Sequence, residues 1–308
     1  MAIDILSIGE PLIEFNQTGR DDPNYLQGFG GDSSNMIIAA ARQGASTAYA
    51  SRLGDDAFGR MFVELWKREG VDIRGVGVDA QAPTGIYFVT HGPHGHVFSY
   101  LRAGSAASRM RPEDVPAELV RGARYVHASG ISMAISSSAC DAVLGAFEAA
   151  HAAGAKISFD SNLRLKLWPL ARARAMIGAA SAMADYFFPS IEDARTLAGR
   201  DDDDTDALVD WAHGLGAKTV FLKLGPQGVF VSDGSTRARV AGLRVASVDA
   251  TGAGDCFCGA TLARLAAGDS SVDAARYGNA AAALKTTGFG AVAPLPRPDD
   301  VRRLLATG

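Results

Sequence analysis

Asp249-Ala-Thr-Gly-Ala-Gly-Asp-Cys-Phe257 is the stretch on which the reading of this chain turns. The alternating segment before it, Leu243 to Val248, predicts a strand, and the Ala-rich run after it, Cys256 to Ala267, predicts a helix. Gly252, Ala253 and Gly254 then fall at a helix N-terminus, where unpaired N–H groups and the helix dipole favour an anion. Glycine there lets the backbone approach a ligand closely. Asp255 stands beside that anion site, where a carboxylate would repel a bound phosphate. Its natural task is to orient and deprotonate a hydroxyl that attacks the phosphate. An acidic residue that merely complements the dipole would account for Asp255, but not for the two glycines around Ala253.

The strand-then-helix rhythm continues outward from this stretch. Ile3–Ile8, Thr47–Leu53, Tyr125–Ala128, Lys156–Asp160, Tyr186–Phe188 and Thr219–Leu224 read as buried strands. Ser34–Gln43, Ala57–Glu69, Ser137–Ala153, Ala171–Ala182, Asp206–Leu215, Val272–Thr286 and Asp299–Leu305 read as helices. Such alternation predicts an α/β fold, a mostly parallel sheet with helices on both faces. Ligands in such folds sit beyond the carboxyl ends of the strands. Gly85–Thr90 and Val97–Arg102 break the rhythm, being strands joined by the turn sequence His91-Gly-Pro-His-Gly-His96. With the non-helical segment Glu14 to Gly31 they predict a small antiparallel sheet, a lid built from residues of about 12–33 and 72–106 on one domain spanning 1–308. A lid suits phosphoryl transfer, which gains from excluding water. A turn symmetric about residues 93 and 94 would set Tyr87 opposite Tyr100, with Arg102 on the same face. Two phenols and a guanidinium suit a polyhydroxylated, anionic ligand.

The chain has 308 residues, 47% of them apolar, and a net charge of −4. That balance leaves no electrostatic footprint for nucleic acid. No apolar run approaches a membrane span and the start of the chain lacks a signal-peptide pattern. Three cysteines form no even framework, so reduced thiols and a cytoplasmic protein are expected.

Other motifs admit two readings. In Gly28-Phe-Gly-Gly-Asp-Ser-Ser-Asn35, Asp32 or Asn35 could bind hydroxyls, while Ser33 or Ser34 could cap a helix. Gly54-Asp-Asp-Ala-Phe-Gly59 lacks the Lys-Ser/Thr of a P-loop and reads as a strand-to-helix joint. Arg164 closes Asp160-Ser-Asn-Leu-Arg164 and could meet a carboxylate or a phosphate through its planar fork. Ser190 could cap a helix, and Glu192 or Asp193 could orient Mg²⁺-bound water. Lys223-Leu-Gly-Pro-Gln-Gly228 joins two strands and could cover nucleotide phosphates. His91, His94 and His96 lack a neighbouring carboxylate or Cys and read as a turn rather than a metal site.

Together these residues resemble the ribokinase-like (PfkB) sugar kinases. Gly30-Gly31 with Asn35 looks like the N-terminal sugar-binding motif, Gly54 to Gly59 like the first signature, and Asp249 to Asp255 like the second. Within the family the chain looks most like 2-keto-3-deoxygluconate kinases, through Gly28–Asp32, Tyr100–Ala107, His127–Ile135 and Asp160–Trp168. The resemblance implies a three-layer α/β/α domain with a β lid. It implies that Gly31, Asp32, Asn35, Tyr87, Tyr100, Arg102 and Arg164 contact a sugar acid. Asn162, Ser190, Lys223, Gly225, Gly228, Gly252 to Gly254 and Asn279 would line an ATP site, with Asp255 as base and Asp193 meeting Mg²⁺ through water. ATP and Mg²⁺ are the implied cofactors, with a monovalent cation as a further candidate. The family's Asn-x-x-Glu appears here as Ser190-Ile-Glu-Asp193, and Ala250 replaces a Thr of the second signature. The implied reaction is phosphorylation of 2-keto-3-deoxygluconate at its terminal hydroxyl. A kinase of neutral sugars and a non-catalytic sensor are the alternatives. The exposed edges and apolar face of a lid predict a dimer through the lids, or a higher oligomer.

Overall fold

Alternate residues of the central strands point into two different cores. In β1 (Ile3–Ile8), Leu6 and Ile8 enter one core and Ile5 the other, the period-2 signature of a sheet buried on both faces. The computed structural model describes residues 3–92 and 95–307. The remaining strands are β2 (Leu12–Gln17), β3 (Tyr25–Gly30), β4 (Thr47–Gly54), β5 (Asp72–Asp79), β6 (Gly85–Gly92), β7 (Gly95–Leu101), β8 (Ala123–Ser129), β9 (Lys156–Asp160), β10 (Tyr186–Phe187), β11 (Thr219–Lys223), β12 (Gly228–Ser232) and β13 (Arg237–Ala241). The large sheet runs β13-β12-β11-β10-β9-β8-β1-β4-β5. From β11 across to β5 every pairing is parallel, and the β12–β13 hairpin closes the other edge antiparallel.

The helices are α1 (Asp32–Arg42), α2 (Ala57–Arg68), α3 (Ala117–Gly122), α4 (Gly130–Ala134), α5 (Ser137–Ala152), α6 (Leu170–Met183), α7 (Ile191–Ala198), α8 (Thr205–Gly214), α9 (Ala253–Ala267), α10 (Ser271–Lys285) and α11 (Pro298–Thr307). One core takes Ala and Val from α5, Ile177 from α6 and Leu208 from α8. The other takes Met36 to Ala40 from α1, Phe62 and Trp66 from α2, and the buried faces of α9 and α10. Local chemistry fixes the helix starts: Asp56 caps α2, Ser136 caps α5, Ser190 caps α7 and Asp204 caps α8. Neither Ser33 nor Ser34 caps α1, so the capping reading of that motif does not hold. Gly31 is the cap residue, and the two serines face inward, to Tyr49 and Trp66.

A separate four-stranded sheet, β3-β2-β6-β7, is the small sheet expected to serve as a lid. It is antiparallel except at its centre, where β2 and β6 pair parallel because the two segments enter from separate places in the chain. Of the stretch expected to form it, Asp72–Asp79 pairs instead with β4 at the edge of the large sheet. The hairpin register sets Tyr87 against Tyr100, as its turn sequence predicts. Leu243 to Val248, read as a strand, forms no ladder. The large sheet ends at β13, and the end of this segment is tied down where Val248 and Asp249 N–H groups donate to the Thr286 carbonyl at 2.7 and 3.0 Å.

Candidate active site

The carboxyl ends of β1, β8, β9 and β11 converge with the N-termini of α1 and α9. Gly252, at φ 76° in the left-handed region, turns the chain into α9. Gly252, Ala253 and Gly254 therefore stand at the start of a long helix, as expected. Asp255 follows in its first turn, and Asn35 Nδ2 donates to Asp255 Oδ2 at 2.8 Å. Burial, reinforced by the negative charges of Asp32 and Asp160, pushes the Asp255 carboxyl up to about 7, while the Asn35 hydrogen bond pulls the other way.

Asp32 and Asn35 share the first turn of α1. Asp32 Oδ2 accepts from Ser129 Oγ and, at 2.9 Å, from Asn162 Nδ2. Asp32 Oδ1 and Asn35 Oδ1 are buried without a hydrogen-bond partner. Buried acceptors need donors, and a ligand rich in hydroxyls fits these two. Asn162 holds its place at φ 29°, an uncommon value for a residue with a side chain. Expected on the nucleotide, its amide here serves Asp32.

On the other side of Asp255, Lys223 Nζ donates to Asp160 Oδ2 at 2.7 Å. Burial pulls the Lys223 pKa down, but the charge and hydrogen bond of Asp160, with Cys258 and Asp193 nearby, together more than offset it and hold the lysine protonated. A Cβ added at Gly254 would lie 3.6 Å from that ammonium. Glycine amides and a fixed cation thus face one space, which fits a phosphate. Gly225 and Gly228, both at positive φ, shape the turn after β11, next to Lys223.

Three other residues expected at the nucleotide or metal have local duties. Ser190 Oγ accepts from the Asp193 N–H at 3.1 Å, and Asn279 Nδ2 donates to the Ala241 carbonyl at 2.7 Å. Asp193 Oδ2 accepts from Ser161 Oγ and the Leu163 N–H at 2.7 and 3.0 Å, clamping the loop that carries Asn162. Its burial raises its pKa. Among the described residues no group of three His, Cys, Asp or Glu side chains gathers to hold a metal ion. His91 Nε2 pairs with Asn16 Oδ1 at 3.0 Å, and His94 lies outside the described residues.

The lid presents Tyr87 and Tyr100 stacked at 5.7 Å. Arg102 lies over the Tyr100 ring at 5.4 Å. Two partners escaped the sequence reading. The Tyr87 hydroxyl donates to Glu14, and Arg102 pairs with the fully buried Glu10, which also accepts from Ser105 Oγ at 2.7 Å. Arg102 Nε remains buried and unpartnered. Arg164 is exposed and donates to the Leu163 carbonyl at 2.8 Å, and its charge reaches the Tyr100 phenol. Gly31, at φ 94°, packs so tightly that a Cβ would overlap the Glu10 carbonyl oxygen. Carboxylates just past β1 and inside β2 were a signal available in the sequence, since strand ends in such sheets face ligands.

Residues 2–298 match the family described as pfkB family carbohydrate kinase. The chain is 37% identical to the 2-dehydro-3-deoxygluconokinase of Thermoproteus tenax, over 98% of this chain and 94% of that protein. It is 33% identical to fructokinase-2 of Solanum lycopersicum, over 99% of this chain and 96% of that protein. The structure of a fructokinase with bound ATP from Xylella fastidiosa matches with a TM-score of 0.91 at 26% identity, covering 100% of this chain and 99% of that one.

Proposed function

The chain belongs to the pfkB family of carbohydrate kinases, and from that premise we propose that it phosphorylates a sugar acid. The substrate on this reading is 2-keto-3-deoxygluconate, converted with ATP to 2-keto-3-deoxy-6-phosphogluconate and ADP. The observation that carries the reading of the chemistry is the placement of Asp255: a half-buried carboxylate held by Asn35, one residue past the glycine amides that open α9. Asp255 takes the proton of the terminal hydroxyl as that oxygen attacks the phosphoryl group. The amides of Gly252, Ala253 and Gly254 stabilise charge on the phosphoryl oxygens in transit, and Lys223 adds a fixed positive charge. Asp32 and Asn35 accept hydrogen bonds from the sugar hydroxyls. Mg²⁺, bound with the nucleotide, supplies neutralisation of the phosphate charge. The lid excludes water once the sugar is in place.

A sugar acid is supported by Arg102 and Arg164, both acting on the rim marked by Tyr100, and by the 37% identity to a 2-dehydro-3-deoxygluconokinase. A neutral sugar is the second reading. It is favoured by the Glu10–Arg102 pair, which already balances one of the two positive charges. ADP release with 2-keto-3-deoxygluconate, gluconate, fructose and ribose separates the two. Preference for the keto acid, with Arg102→Ala raising its Michaelis constant more than that of ATP, supports the first. Preference for fructose or ribose rejects it. Silence with every sugar, despite tight binding of the acid, would reject catalysis itself.

A further inference from the structure

Lys285 ends α10. A basic residue in the last turn of a helix ordinarily complements the dipole from solvent. This one is fully buried, at 0% exposure. Its Nζ donates at 2.8 Å to the main-chain carbonyl of Asp249, the first residue of the segment that leads to the anion site. The Asp249 side chain is committed too: Oδ1 accepts from the Thr251 N–H and Oδ2 from the Gly290 N–H, each at 2.9 Å. Three residues later the chain passes through Gly252 into α9. The turn that aims the Gly252 to Gly254 amides is therefore fixed from behind by one carboxylate and one ammonium. Desolvation pulls the Lys285 pKa down, and the charges of Asp249, Asp255 and Glu14 push it back. A buried ammonium is costly unless paired. Here the ammonium is held by the loop carbonyl, and the carboxylates favour its charge from beyond ion-pair distance.

We propose that Lys285 is a positioning residue, a built-in cation that holds the Asp249–Thr251 turn in the shape that presents the anion-site amides. Lys285 touches neither sugar nor phosphate on this assignment. It acts through the backbone of residues 249–252. The proposal rests on the reading of that site as a phosphoryl-transfer site. A cleft of about 600 Å³ is lined by Glu14 and by Gly290, whose N–H the Asp249 carboxylate accepts.

The test is steady-state kinetics of Lys285→Met on the sugar the unaltered protein prefers, with thermal melts to establish folding. The expected result is a turnover number lower by roughly tenfold to a hundredfold, the scale of misplaced transition-state donors. Both Michaelis constants should stay within about twofold, because ground-state contacts are untouched. Ammonium, methylammonium or potassium should restore several-fold of the loss. A folded Lys285→Met variant with unaltered turnover overturns the proposal, and so does a loss that no cation relieves. If the Met variant does not fold, Lys285→Gln takes its place, keeping a donor but no charge, with the same two outcomes. An unaltered protein that phosphorylates no sugar would refute the kinase reading rather than the role of Lys285.

Discussion

Asp255 ties charge to pH in two opposite ways. As a base it works only when ionised, so on the proposed mechanism turnover should rise with pH through about 7 and then level. Stability runs the other way. The folded carboxyl holds its proton to about 7, whereas an unfolded aspartate loses it near ~3.9. The folded state therefore binds the proton more tightly between those values, and stability falls as pH climbs through that window. Asp255→Asn should lower turnover at least about a hundredfold, leave sugar binding largely intact, and melt at a higher temperature than the unaltered chain above pH 7. Near-normal turnover would remove Asp255 as the base. A variant that melts lower at every pH would contradict the buried-charge argument. The position of Asp255 was readable because its neighbours in sequence are its neighbours in space. Arg102 with Glu10, Tyr87 with Glu14, and Lys285 with Asp249 were not, since each pair joins distant segments that only the topology brings together.

Among elements, the junction of β3 and α1 bears most on the site. β3 ends at Gly30 and α1 begins at Asp32, so at this crossing between the two sheets' parts of the chain the joint is a single residue, Gly31. Its φ of 94° and its contact with the Glu10 carbonyl leave no place for a side chain. Gly31→Ala should destabilise the fold by more than ~1 kcal/mol in denaturant unfolding. It should also lower turnover, because α1 carries Asp32 and Asn35. An unchanged unfolding midpoint would show that the close packing is not required. Element types were largely legible, since Ala-rich runs and β-branched runs differ in period. Leu243 to Val248 shows where that reading fails: an alternating pattern makes a strand only if another strand offers an edge. The start of α1 was misplaced for a related reason. Ser33 and Ser34 look like caps, but Tyr49 and Trp66 claim their hydroxyls.

At the scale of the molecule, alternation of strands and helices announced the layered architecture, and the two cores on either side of the sheet bear it out. The order of strands left no local trace, because parallel neighbours are chosen by crossovers. The parallel joint between β2 and β6 was invisible for the same reason. The lid exposes Leu26, Val97 and Leu101, each more than half accessible. The register sets Val97 and Leu101 together on one face and Leu26 on the other, and the face bearing Val97 and Leu101, beside an open edge, is the one expected to pair between two copies. Sedimentation should find a dimer, and Leu101→Glu should shift it toward monomer. A monomer at every working concentration would reject that assembly. The single-residue joint at Gly31 carries one more consequence. A lid that runs directly into the helix bearing Asn35 cannot change posture without tugging on the partner of Asp255. On the proposed mechanism, alignment of the base would then be conditional on what the lid holds, and idle hydrolysis of nucleotide would be restrained by the architecture itself. Release of ADP in the absence of any sugar is where a failure of that restraint would appear.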